Sequence, residues 1–230
     1  MADRAGYDAD FGKAGECTVN TATTVYEDLR AKIINGTIAA SADLTETELA
    51  SNYGVSRNTV KKALLMLAGE HFITMEPNKG ARVKTYSVGE VLEHLEVRAV
   101  LEGLIVRLAA ESISKDDIAR LGEALENMKR FQQERKIVEY SQQNQVFHKI
   151  IHAACPNKTL VAFTEEIKAR IRKYNTKTNL VPGRAENSVK EHEAILNAII
   201  AADFESAEAY MITHIRNVRE TFGQNYHYLI

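Results

Sequence analysis

Residues 44–72 read LTETELASNYGVSRNTVKKALLMLAGEHF, and the punctuation of this stretch decides the fold. Thr45 can cap a helix, and Glu48 three residues on completes a capping-box pattern. That helix runs to about Tyr53, where Gly54 supplies a left-handed stop. Ser56 caps a second helix whose apolar residues Val60, Ala63, Leu64 and Leu67 fall on one face. Two short helices broken by one glycine make a helix-turn-helix.

Outward from this stretch, residues 22–35 (ATTVYEDLRAKIIN) place Val25, Leu29 and Ile33 at helical spacing, and Gly36 ends the run. Residues 72–86 (FITMEPNKGARVKTY) alternate about Pro77-Asn78-Lys79-Gly80, which predicts a β-hairpin. Helix, helix-turn-helix and hairpin together make a winged helix over residues 21–84. Residues 1–20 have no apolar core, so they are read as a mobile N-terminal arm and not as a secretory signal. Beyond residue 88 the helical pattern is nearly unbroken. It predicts six helices, at about 88–112, 115–135, 138–154, 157–177, 187–202 and 204–224, with TNLVPGRAENS (178–188) as the one long loop. The expected fold is therefore mainly α: an N-terminal winged helix-turn-helix with a small β-hairpin wing, and a C-terminal all-α six-helix bundle over 88–224.

Composition fits this reading. The chain has 230 residues, 45% hydrophobic and 26% charged, with no apolar run near the roughly 18 residues that a membrane span needs. Cys17 and Cys155 give no disulfide framework, which suits a cytoplasmic protein with no membrane partner. The net charge of -2 hides an asymmetry. Residues 56–84 carry six Lys or Arg against two Glu, whereas the first 55 residues carry four against nine Asp or Glu. A short basic segment in an otherwise acidic chain points to a polyanion contact.

The second helix of a helix-turn-helix presents its N-terminal residues to base edges in the major groove. Here that end is Ser56-Arg57-Asn58-Thr59, followed by Lys61 and Lys62. Arg57 can pair bidentately with guanine and Asn58 with adenine. Thr59 suits a thymine methyl or a phosphate, and the two lysines suit phosphates. At the hairpin tip, Lys79 and Gly80 can approach a minor groove.

At these residues the sequence resembles the N-terminal domain of the GntR family of bacterial transcription regulators, over residues 22–84. Several family positions differ: Thr47 stands where an arginine is common, Asn58-Thr59 replaces Thr-Pro, and Lys61-Lys62 replaces Arg-Glu. The C-terminal half is similar to the FCD ligand-binding domain in its six-helix, VanR-like form. The matching motifs are EVRAVLEGLIVRLAA (96–110), NQVFHKIIHAACPNKTL (144–160) and EHEAILNAIIAADFESAEAYMITHI (191–215). The resemblance implies a divalent metal held by one Asp or Asn and three His, with a small organic acid or related metabolite sensed beside it. Carried over residue by residue, it assigns Asn144, His148, His192 and His214. Imidazole nitrogens with one oxygen suit Zn first, then Ni, Co or Mn.

Helical angles test this independently. At about 100° per residue, Asn144 and His148 lie on the inner shoulder of a face centred on Phe147, while His152 turns toward the flank as a bystander or an outer partner. His192 sits among Val189, Ile195, Leu196 and Ile199, and His214 shares a face with Met211 and Val218. Arg98, Glu102 and Arg170 are the candidate effector-binding residues. Arg98 has two open readings, an effector carboxylate or an internal ion pair with Glu102 at i+4.

Two rival classes each match part of the pattern. A metalloenzyme is suggested by His148 and His152 at i, i+4, but Lys149 stands where a zincin needs its general-base Glu. A helical scaffold that happens to carry a winged helix would show no ligand-dependent DNA binding. The expectation is a non-enzymatic, ligand-responsive transcription regulator. It would act as a repressor and as a homodimer on a pseudo-palindromic double-stranded operator.

Overall fold

The computed structural model describes residues 21–76 and 80–229, so the expected N-terminal arm and the tip residue Lys79 lie outside the described residues. The chain divides into two compact units between Thr85 and Tyr86.

The first unit begins with α1 (Ala22–Asn35), capped by Thr21 and closed by Gly36 in the left-handed conformation. A two-residue strand β1 (Asp43–Leu44) leads into α2 (Glu46–Tyr53) and α3 (Arg57–Gly69). Thr45 Oγ1 accepts from Glu48 N and Ser56 Oγ accepts from Thr59 N, so each helix starts on a side-chain cap. Gly54, left-handed, closes α2 and makes the sharp turn between them. Val25 and Leu29 of α1, Leu49 of α2, and Val60, Ala63, Leu64 and Leu67 of α3 bury one shared core. Arg30 Nε donates to Glu70 Oε2 at 2.8 Å, which ties α1 to the end of α3.

The wing has one strand more than the sequence pattern predicts. β2 (Ile73–Glu76) and β3 (Gly80–Val83) pair antiparallel, and β1 pairs with the other edge of β3, giving the order β1-β3-β2. Gly80 has a structural duty here. It holds φ +100, and a Cβ there would stand 2.5 Å from the carbonyl oxygen of Leu44. Gly80→Ala is therefore expected to destabilise this unit by at least about 1–3 kcal/mol, because left-handed strain adds to a clash with unyielding backbone. A denaturant midpoint unchanged from wild type would refute this role.

The second unit contains α4 (Val88–Ala110), α5 (Lys115–Gln133), α6 (Ile137–Ala154), α7 (Lys158–Thr178), α8 (Arg184–Ile200) and α9 (Phe204–Leu229). A full capping box, Ser87 with Glu90, starts α4, and Ser114 caps α5. α4 and α9 form the most extensive helix pair. Gly103 permits their approach, since a Cβ there would meet Ile212 Cγ1 at 2.6 Å. α8 begins three residues earlier than the sequence reading placed it, because left-handed Gly183 starts the helix, and α9 runs on past residue 224 to Leu229. Leu95, Ile105, Leu121, Met128, Phe147, Ile151, Ile195, Met211 and Phe222 anchor a continuous core. No described helix is long and apolar enough to cross a membrane.

Candidate functional site

In the first unit, α3 turns Val60, Ala63, Leu64 and Leu67 inward, which leaves Arg57, Asn58, Lys61 and Lys62 exposed on the opposite face. Ser56 and Thr59 spend their hydroxyls on the cap and on each other at 2.8 Å. Among the described residues Arg57 reaches one ion-pair partner: its Nη2 lies 3.6 Å from Glu46 Oε2 at the start of α2. That bridge is long and solvated, so it orients the guanidinium without holding it back from a base. Thr47 is exposed on the first turn of α2. On the sheet, Arg82 is engaged by Asp43 at 3.0 Å and Glu76 at 3.2 Å.

In the second unit, His148 of α6, His192 of α8 and His214 of α9 are all buried, and one nitrogen from each lies within 4.8 Å of the others. The opposite nitrogens face oxygens. His192 Nδ1 donates to the Ser188 carbonyl at 2.6 Å, an i−4 bond along its own helix. His214 Nδ1 donates to Glu191 Oε2 at 2.6 Å. His148 Nδ1 faces Glu102 Oε2 at 3.4 Å. Protons placed on Nδ1 leave each Nε2 as a lone pair directed into the cluster. His148 Nε2 and His192 Nε2 then oppose each other at 3.3 Å, acceptor against acceptor. A cation between them resolves that conflict, since two imidazoles on one Zn-like ion at about 2.0–2.1 Å place their nitrogens roughly this far apart. Asn144, one turn before His148, adds a buried Oδ1 with no hydrogen-bond partner among the described residues. Three nitrogens and one amide oxygen fit a divalent transition metal.

Electrostatics agree with this. Burial pushes the pKa of His148 and His192 down to about 3, and that of His214 to about 4, so all three are neutral and ligand-competent near pH 7. Burial opposes the charge on Glu191, but the bonds from His214 and Arg184 outweigh it and bring its pKa to about 2.

His152 differs from the flank position that helical angles gave it. It is buried, with Nε2 2.9 Å from Glu102 Oε2 and Nδ1 2.7 Å from Glu165 Oε1. Burial works against its charge, but the two carboxylates prevail and raise its pKa. It does not join the three converging histidines. The Phe147 ring packs edge-on against His192 at 4.8 Å between centroids and closes the apolar side of the cluster.

Of the two readings open for Arg98, the structure forms the ion pair. Its Nε donates to Glu102 Oε1 at 3.0 Å, both side chains being buried. Glu102 is fully buried and gathers Arg98, His148, His152 and, at 3.7 Å, Lys168. These charges overcome the cost of burial and hold its pKa well below the usual range. Arg170 pairs with Glu166 at 3.5 Å on α7. Sequence reasoning missed Glu191, Arg184, Ser188, Glu165 and Lys168, which orient the histidines and Glu102. Only the i−4 relation of Ser188 to His192 was open to a helical wheel.

Comparison with known proteins follows the same division. Residues 93–217 match the FCD domain, and residues 21–83 match the bacterial regulatory proteins of the gntR family. The HTH-type transcriptional regulator YdhC of Bacillus subtilis (strain 168) is 24% identical over 193 residues, 84% of this chain and 86% of the relative. The HTH-type transcriptional repressor RspR of Escherichia coli (strain K12) is 23% identical over 202 residues, 87% of this chain and 88% of its own length. Among solved structures, E. coli McbR/YncC superposes with a TM-score of 0.71 at 22% identity, covering 90% of this chain and 99% of that one.

Proposed function

The chain belongs to the GntR family of bacterial regulatory proteins and carries an FCD domain, and from that premise we propose how this regulator is built to respond. It is a ligand-responsive DNA-binding transcription regulator and not an enzyme. In our reading it is a cytoplasmic repressor that releases its operator when a small carboxylate binds at a divalent metal. The metal is held by Asn144, His148, His192 and His214, with Zn the first choice and Ni, Co or Mn the alternatives.

The observation that carries this reading is the cluster of lone pairs. Three buried imidazoles, each with its far nitrogen turned toward an oxygen, and an amide oxygen without a partner are costly unless a cation joins them. When bound, the metal supplies a Lewis-acidic position for an acidic ligand. Glu102 orients His148 and carries the signal outward to Arg98, His152 and Lys168, and Glu191 does the same for His214.

DNA is read by Arg57 and Asn58 at base edges. Ser56, Thr59, Thr47, Lys61, Lys62 and the wing residues Lys79 and Gly80 contact phosphate and groove. Two half-sites require two copies. On α4, Val97, Val100 and Leu104 are exposed at 50%, 58% and 38% and recur at i, i+3, i+7, an apolar stripe suited to the second copy.

The test is a gel-shift assay on DNA fragments captured by the purified protein, with and without divalent metal and a panel of small carboxylates. Arg98→Ala is expected to retain operator binding and lose the metabolite response, because Glu102 would keep His148, His152 and Lys168 but lose its buried guanidinium partner one turn away on α4. A normal response would remove Arg98 from the pathway. A wild type indifferent to every acid would favour the scaffold.

A further inference from the structure

The chain crosses from the first unit to the second between Thr85 and Tyr86, and it is held on both sides of that point. Before it, Lys84 N donates to the Phe72 carbonyl at 2.9 Å. After it, Tyr86 N donates to Tyr174 Oη at 3.2 Å, and Tyr174 Oη donates back to the Tyr86 carbonyl at 3.2 Å. Thr85 alone stands between the two anchored residues, and the Ser87 capping box starts α4 directly after them. One hydroxyl thus holds both backbone groups of the residue at which the chain enters the second unit. Tyr86 and Tyr174 are buried, so water competes little for those bonds. The His94 ring meets the Tyr86 ring edge-on at 5.1 Å between centroids.

Tyr174 belongs to α7, and the same helix reaches the histidine region. Glu165 of α7 lies 2.7 Å from His152 Nδ1. Lys168 of α7 lies 3.7 Å from Glu102, the fully buried carboxylate that faces His148. Lys168 and Tyr174 are about 9 Å apart along the helix axis. A helix is stiff over that length, so it moves as one body. Tyr174 also meets Phe222 of α9 edge-on at 5.8 Å, on the helix that carries His214.

We propose that Tyr174 is a positioning residue for the response: it latches the tether of the DNA-binding unit to α7, and α7 passes the state of the Glu102 network to that tether. The proposal rests on the ligand-responsive reading above and adds a route to it. A change in what Glu102 holds shifts Lys168 and with it α7, and the latch carries the shift to Tyr86. A loosened tether gives up the fixed spacing that two half-sites demand.

Tyr174→Phe, Lys168→Met and the double variant test this in the full chain after stripping with EDTA, so no bound metal enters. Hydrogen exchange reads the Tyr86 amide, and anisotropy reads affinity for the captured operator fragment. Tyr174→Phe removes the acceptor of that amide and is expected to speed its exchange at least tenfold. Lys168→Met is the diagnostic arm, because the ion pairs it removes are with Glu102 and Glu165. It is expected to speed exchange of the same amide at least threefold, and Lys168→Arg is expected to restore it. Each single variant should lower operator affinity roughly three- to tenfold, the scale of one or two lost buried hydrogen bonds. The double variant should fall no further than the weaker-binding single variant, because both act on one route. Unchanged exchange across α5 identifies each variant as folded. A Tyr86 amide indifferent to Lys168→Met would overturn the proposal, and so would losses of operator affinity that add in the double variant. The ligand-responsive reading fails separately, in the wild type, if metal and acids leave operator affinity unchanged.

Discussion

Arg57→Ala is expected to reduce operator affinity to that for unrelated DNA. One lost bidentate base contact removes about 1–3 kcal/mol, or roughly ten- to hundredfold, and that loss falls only on the cognate sequence. The fold is not at risk, since the side chain is 69% exposed and its ion pair among the described residues is the long contact with Glu46. Lys62→Ala should behave differently. It should weaken all sequences alike and lower the salt slope by about one. Fluorescence anisotropy on operator and scrambled duplexes over a salt series separates the two. Operator affinity in Arg57→Ala equal to wild type would remove α3 from base reading.

The second large effect is expected in the histidine cluster. His148→Ala and His214→Ala should lose the metal and melt at markedly lower temperature, because a ligand bound only to the native state stabilises it. His152→Ala should keep near-normal metal, since its nitrogens face Glu102 and Glu165. Metal analysis and melting curves decide, and metal lost from His152→Ala alone would contradict the assignment. Acid adds a further signature in stripped protein. The folded pKa values of about 3 to 4 lie below the ordinary 6.5, so the unfolded chain binds more protons in the interval between. Stability contributed by the neutral rings should thus be intact above pH 6.5 and fall steadily from there to about pH 3.

Much of the fold was legible because helix punctuation is local. Thr45, Gly54 and Ser56 act at their own positions in the chain, and the structure uses each as a cap or a stop. Other features depend on partners far away. β1 has only two residues, too few for an alternating pattern, and it exists because β3 offers a free edge. Gly183 reads as a loop residue, yet its left-handed turn starts α8. The angular reading of α6 placed His152 on the flank because a helical wheel knows nothing of α7, whose Glu165 covers that side. Likewise, Arg184 and Glu191 sit seven residues apart on one helix with nothing in the pattern to pair them with His214, which only the packing of α8 on α9 does.

The three histidines belong to α6, α8 and α9, with α7 threaded between the first and the second. No short segment of the chain can gather them. Closing such loops carries an entropic cost, so contacts of this separation are expected after the local helices have formed. A metal held by these rings would then be captured by a domain already assembled, and its release would be tied to the opening of those helices. The rate at which a strong chelator strips the ion, once it no longer depends on chelator concentration, is therefore a clock for how often the folded domain opens.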